Sequence, residues 1–155
     1  MESVTATYGE VETRALKAYT KLMRAAESVT ARVSRIITSA QLTVSQFGVL
    51  EVLYHKGALC QRDIASKILK STGNITMVID NLEKRGLVRR ERTAEDRRYF
   101  TIHLTDEGRS VIAEVFPQVM SAIIGEMTIL QESEQEELGR LCRQLGLREQ
   151  SSAEE

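Results

Sequence analysis

This chain has no tryptophan, one proline and two cysteines in 155 residues, and aromatic side chains make up 5% of it. Each scarcity excludes something. One proline and nine glycines exclude collagen-like repeats and long low-complexity linkers. Cys60 and Cys142 stand far apart and outside any zinc-ligand spacing, so reduced thiols are expected rather than a disulfide or a metal site. His55 and His103 have no cysteine or carboxylate at ligand spacing. The opening MESVTATYGEVE has neither a basic n-region nor an apolar core, unlike a secretory signal. No apolar run reaches the ~18 residues that a membrane span needs. No Ser-His-Asp set, phosphate loop, HExxH or apolar carboxylate pair is present, so an enzyme is not expected. The expectation is one soluble cytoplasmic domain with no cofactor, no metal and no membrane partner.

What the chain does have is positive charge in one place. Its net charge is −1, yet residues 84–98 hold Lys84, Arg85, Arg89, Arg90, Arg92, Arg97 and Arg98 against Glu91, Glu95 and Asp96. That segment is +4, which leaves the remainder at −5. A focused basic patch on a mildly acidic chain points to an anionic partner.

Hydrophobic periodicity predicts a mainly α chain. Residues 10–38 read as one long helix with Leu16, Tyr19, Leu22, Met23, Val29, Val33, Ile36 and Ile37 at helical spacing. Thr43 and Gln46 make a capping box for a second helix, which Gly57 stops. LCQRDIASKIL reads as a short helix, broken by KSTGN. NITMVIDNLEKRG follows, a helix ending at Gly86. Stepping 100° per residue puts Ile75, Val78, Ile79 and Leu82 on one face. The opposite face carries Gly73, Met77, Asp80 and Lys84, flanked by Asn74, Thr76 and Asn81.

LVRRER and RRYFTIHLT then alternate, with Phe100, Ile102 and Leu104 one way and Tyr99, Thr101 and His103 the other. They predict a hairpin whose tip lies at 93–97. A second long helix runs from Asp106 to about Leu130, bent at Pro117. Ser133 and Glu136 are placed to cap a last helix that ends at Gly146. Residues 147–155 form a polar tail.

A short helix, a turn, a helix with a polar outer face and a basic hairpin make a winged helix-turn-helix, here over residues 43–104. Such a helix fits the DNA major groove, and the hairpin reaches the backbone or the minor groove beside it. The long helices at 10–38 and 106–146 carry apolar stripes that a second copy would cover, giving a homodimer with recognition helices ~34 Å apart.

The run STGNITMVIDNLEKRGLVRRERTAEDRRYFTIHLTDEG resembles the core signature of the MarR family of bacterial winged-helix regulators. The resemblance spans roughly residues 10–146 and is most specific in LEKRGLV, the DRR of the wing and the closing LTDEG. It implies a bacterial or archaeal homodimer with interlocking terminal helices. Such a dimer binds a palindromic operator in double-stranded DNA, usually as a repressor, and is released by a small molecule or by thiol oxidation. The family's wing pattern falls on Asp96, Arg97 and Arg98. Arg98 would enter the minor groove with Asp96 holding its guanidinium. The usual proline before that aspartate is absent. FGVLEVLYHKG and GNITMVIDNLEKRG are similar to a quinone- and phenol-responsive subgroup.

The candidate DNA-reading residues are Ser71, Thr72, Gly73, Asn74, Thr76, Met77, Asp80 and Lys84 in the helix, and Arg90, Arg92, Asp96, Arg97 and Arg98 in the wing. Asn74 suits adenine, and the methyl groups of Thr76 and Met77 suit thymine. Asp80 either pairs with a wing arginine or accepts from cytosine. Against these stands the plainer reading of a solvated helix face and an ordinary charged strand. Of Arg90 and Arg92, alternation sends at least one to phosphate. Tyr19, Phe47, Tyr54 and Phe116 line an effector pocket or are simply core. Cys60, at the start of a helix, is a redox candidate or a small buried apolar residue. Cys142 belongs with Leu138 and Leu145 on an apolar face. The rival to a DNA-binding regulator is a winged-helix module that binds protein, which has no need of arginines in its wing.

Overall fold

The computed structural model of the chain describes residues 8–68, 72–96 and 99–147. In chain order the elements are α1 (Glu10–Ser39), α2 (Val44–Lys56), β1 (Leu59–Cys60), α3 (Gln61–Lys67), α4 (Thr72–Lys84), β2 (Val88–Arg92), β3 (Phe100–Leu104), α5 (Asp106–Met127) and α6 (Glu132–Gly146). The fold is mainly helical, with a small antiparallel sheet in the order β1-β3-β2. It is a winged helix-turn-helix: α3 and α4 form the helix pair, and β2 and β3 form the wing.

One core holds these elements together. Leu50 and Leu53 of α2, Ile64 of α3, Ile75, Ile79 and Leu82 of α4, Ile102 of β3 and Ile112 of α5 are all fully buried. Each such side chain stabilises the fold by roughly 1.5–3 kcal/mol relative to exposure. The buried face of α4 is the one the periodicity predicts. The Thr43 hydroxyl accepts from the Gln46 N–H at 3.1 Å, and the Gln46 side chain accepts from the Thr43 N–H at 3.0 Å, so the expected capping box starts α2.

Two helix ends show why the chain turns where it does. At the end of α4 the Leu87 N–H reaches the Leu82 carbonyl and the Gly86 N–H reaches that of Glu83, with Gly86 left-handed at φ 71°. This closure requires a residue without a steric penalty at positive φ. The end of α1 closes in the same way, Leu42 to Ile37 and Gln41 to Thr38, but there the left-handed residue is Gln41, at φ 58°.

The structure corrects several expected boundaries. Leu59 and Cys60 are not helical; they pair with Ile102 and Thr101 of β3. A two-residue strand has no period for a sequence to reveal. The recognition helix begins at Thr72, so Thr72 and Gly73 belong to it rather than to a breaker, while Leu69, Lys70 and Ser71 lie outside the described residues. Helix α5 runs through Pro117 and ends at Met127, short of Leu130. Ser133 and Glu136 do not cap α6: the helix starts at Glu132, and the Gln131 N–H donates to the Glu134 carboxylate at 2.8 Å. The two overlapping pairs have the same spacing, and the turn after α5 selects the earlier one.

The long helices are covered only in part. Helix α1 packs on α5 and α2, and Arg32 joins Glu126 across it at 2.6 Å. Leu16, Tyr19, Leu22 and Met23 of α1, Met120, Ile123 and Ile124 of α5, and Leu138, Leu141 and Leu145 of α6 are exposed. Helix α6 has no buried residue, and Cys142 on it is exposed too. By length and composition α5 would suit a membrane span. It packs on α1, α2 and β3 and gives Ile112, Val115 and Val119 to the core.

Candidate nucleic-acid interface

Burying Ile75, Ile79 and Leu82 turns the other face of α4 outward. Asn74, Thr76, Met77, Asn81 and Lys84 are exposed there. Met77 is the extreme, an apolar side chain 61% exposed on a helix whose inner face is at zero. Leaving a thioether in water has no folding benefit. Thr76 accepts a hydrogen bond from the Gln61 side chain at the start of α3, which ties the two helices of the pair beside the outer face. Ser71 lies outside the described residues.

The wing is positioned by its register. Val88 pairs with Leu104, Arg90 with Ile102 and Arg92 with Phe100. Paired residues share a sheet face, so Arg90 and Arg92 stand on the side of buried Ile102, and Arg89 and Glu91 stand opposite with His103 and Thr101. At the tip the Thr93 hydroxyl donates to the Asp96 carbonyl at 2.6 Å. The Thr93 N–H reaches the Tyr99 carbonyl at 3.1 Å. Arg97 and Arg98, and with them the expected Asp96–Arg98 bond, lie outside the described residues.

Much of the basic patch is already engaged within the protein. Arg85 donates to the Gln41 carbonyl at 2.7 Å, bracing the left-handed turn after α1. Arg89 pairs with Glu91 at 2.7 Å, and His103 reaches the same carboxylate at 3.1 Å. Arg90 is held by Asp80 at 2.5 Å and by Glu83 at 3.0 Å. Asp80 therefore takes the first of its two expected roles, partner to a wing arginine. Arg92 lies over the Phe100 ring, 5.5 Å from its centroid, with its strand position exposed. Of the described cations in the patch, Lys84, Arg85 and Arg92 have no ion pair, and Arg85 is committed to the Gln41 carbonyl instead. Sequence reading missed Glu83, Gln61 and Arg85. Asp80 and Glu83, three residues apart on a helix and so neighbours, were the available signal.

The four aromatic residues expected together are not gathered. Phe47 is buried and lines a cavity of about 330 Å³ between α1, α2 and α5, with Val33, Ile37, Gly48, Val119 and Ile123, and with Glu51 and Lys67 at its edge. Tyr54 and Phe116 lie about two turns away, roughly 10 Å along α2, edge-on to His55 at 5.2 and 4.7 Å. Arg109 covers Tyr54. Tyr19, far along α1, is exposed. Cys60 is partly exposed, in a cleft between the start of α3 and the wing with Arg62, Arg90 and Phe100. Among the described residues no group of histidine, cysteine and carboxylate side chains is arranged to hold a metal.

The MarR family pattern matches residues 42–100, from the α1–α2 turn to the start of β3. MhqR of Bacillus subtilis (strain 168), an HTH-type transcriptional regulator, is 33% identical over 134 residues, which are 86% of this chain and 92% of MhqR. The chain belongs to the MarR family. It is a DNA-binding transcriptional regulator, as MarR proteins are, and not an enzyme. CouR, a transcriptional repressor solved on a 23-mer DNA duplex, is 28% identical to it. The two superpose with a TM-score of 0.76 over 91% of this chain and 99% of CouR. BpsR of Bordetella bronchiseptica, whose DNA binding is regulated by 6-hydroxynicotinic acid, is 25% identical, with a TM-score of 0.79 over 91% of this chain and 98% of BpsR. The family assignment displaces the protein-binding module as a reading of the wing.

Proposed function

We propose that this MarR protein is a homodimeric repressor that binds a palindromic operator and is released by a small phenolic or quinone-like molecule. The observation that carries the DNA reading is the outer face of α4, with Met77 61% exposed between Asn74, Thr76 and Lys84. Asn74 suits an adenine edge, and the Thr76 and Met77 methyl groups suit thymine. Lys84, Arg92, Arg97 and Arg98 supply the phosphate and minor-groove contacts. Recognition at this face rests on α4, and backbone attraction on the wing.

Exposed leucines and isoleucines on α1, α5 and α6 support the dimer. They give three helices an apolar face with no cover among the described residues, and a two-fold partner covers all three at once. A dimer places its two copies of α4 about one turn of DNA, ~34 Å, apart. Leu141→Glu is expected to shift the protein towards monomer in light scattering and to abolish operator binding. A stable dimer in that variant would contradict this interface.

The cavity beside Phe47 supports a ligand between the dimer helices and the winged domain. Its walls are apolar and its edge holds Lys67 and Glu51, a surface suited to a planar ring with a hydroxyl or acid group. The regulation of BpsR by a hydroxylated aromatic acid favours that class. Release requires the ligand to prefer a spacing of the recognition helices that no longer matches one DNA turn. Selection of bound sites from a random duplex pool tests the operator reading. A two-fold motif with half-sites about ten base pairs apart is expected, and a motif without symmetry would refute it.

A further inference from the structure

We propose that Arg90 is a positioning residue: gripped by Asp80 and Glu83, it fixes the angle of the wing against the recognition helix and sets operator specificity without itself touching DNA. This rests on α4 being the DNA-reading helix. The grip has three bonds. The Arg90 guanidinium donates to Asp80 Oδ1 at 2.5 Å and to Glu83 Oε1 at 3.0 Å. The other Glu83 oxygen accepts the Arg90 backbone N–H at 3.1 Å. Strand β2 is an edge strand, paired with β3 on one side only. On its open side an unpaired N–H is a liability, and Glu83 takes the place of a strand partner there. Recognition helix and wing are thereby joined through one residue's main chain and side chain together.

Two features distinguish this from a phosphate contact restrained before DNA arrives. The Arg90 side chain is only 21% exposed, against 47% for Asp80 and 41% for Glu83, so the carboxylates face solvent more than the cation does. Two acids on one guanidinium also leave the cluster net negative beside a surface meant for DNA. Electrostatics alone disfavours that arrangement. Geometry accounts for it. Thr93 lies three residues beyond Arg90, about 10 Å along the strand. A tilt of about 10° there moves the wing tip by about 1.7 Å, more than the ~0.5 Å range of good hydrogen-bond lengths.

The test compares binding of the intact protein and its variants to the selected operator duplex and to a scrambled duplex, across a salt series. Glu83→Gln removes a negative charge, so a purely electrostatic role for this cluster requires tighter binding to both duplexes. The positioning role requires the opposite at the operator, a loss of roughly 10-fold, with scrambled binding unchanged or tighter. Arg90→Gln is expected to weaken the operator similarly while the slope of log K against log salt stays that of wild type. A lost phosphate contact would reduce that slope by about 0.9 per wing, about 1.8 per dimer. That reduction, or tighter operator binding by Glu83→Gln, would overturn the proposal. Should Arg90→Gln not fold, Arg90→Lys keeps the charge but not the fork. It is expected to weaken the operator about 3-fold with no change in slope, and full wild-type affinity would overturn the proposal. A wild type that does not prefer its operator would instead refute the reading of α4, and the grip with it.

Discussion

Replacing Gly108 by alanine reverses the usual effect of that substitution. In an ordinary helix Gly→Ala stabilises by about 1 kcal/mol. Gly108 is in the first turn of α5, where the helix docks on the turn between α4 and β2. Thr105, its N-cap, accepts from the Gly108 N–H at 3.0 Å and donates to the Gly86 carbonyl at 2.6 Å. The Thr105 N–H reaches the Leu87 carbonyl at 3.1 Å. A Cβ on Gly108 would stand 1.9 Å from the Leu87 oxygen and 2.8 Å from its carbonyl carbon. Those atoms are main chain, and Leu87 is buried with its N–H committed to Leu82, so nothing flexible can give way. Relief requires α5 to lift from the turn by more than an ångström. Overpacking of this kind costs about 1–3 kcal/mol, and loss of the Thr105–Leu87 bond adds about 1 kcal/mol. Set against the helical gain, Gly108→Ala is expected to lose about 2 kcal/mol. Urea unfolding at unchanged m-value measures it. A variant as stable as wild type, or more so, would refute this account of how α5 is seated.

The other expectations concern the C-terminal half of α1 and the turn that follows it. Gln41 occupies a left-handed position that costs a side-chain-bearing residue about 1 kcal/mol or more. Gln41→Gly is expected to raise stability by about 0.5–1 kcal/mol, while the Arg85 bond, made to the backbone carbonyl, is retained; a loss of stability would contradict it. The Arg32 hydrogen bond, aided by its charge and opposed by desolvation, holds the Glu126 carboxyl below its ordinary value of 4.5. Its folded value is thus below its unfolded one, and its contribution is complete above the unfolded value and lost as pH falls through the folded one. The stability difference between wild type and Glu126→Gln, measured from pH 6 down to pH 3, is therefore expected to shrink; a difference that grows would show the sign to be wrong.

The sequence was most legible where one element decides the outcome. Periodicity places α1, α2, α4 and α5, because burying Ile75, Ile79 and Leu82 needs only helical spacing. The Thr43–Gln46 box and the stops at Gly57 and Gly86 are local chemistry. What was not legible depends on distant segments. Strand β1 exists because the free edge of β3 accepts two residues, and nothing in Leu59–Cys60 announces that. Arg85 reaches back to Gln41, and Arg90 turns to Asp80 and Glu83 because the register sets it opposite Ile102. The count of positive charge in residues 84–98 was right, but it could not tell which arginines the protein uses for itself. Phe47 and Tyr54 are separated by their spacing along α2, and the packing of α5 on α2 sets Phe116 near Tyr54 rather than near Phe47. The LTDEG run acquires a physical reason in the contact between Gly108 and Leu87.

The central claim is that α4 and the wing read a specific DNA sequence. Titration of the protein with its selected operator, beside a scrambled duplex of equal length over a salt series, tests it most directly. A steep salt slope for both duplexes and a preference for the operator of roughly 10³-fold or more are expected. Equal affinity for the two duplexes, or no binding at low salt, would contradict it.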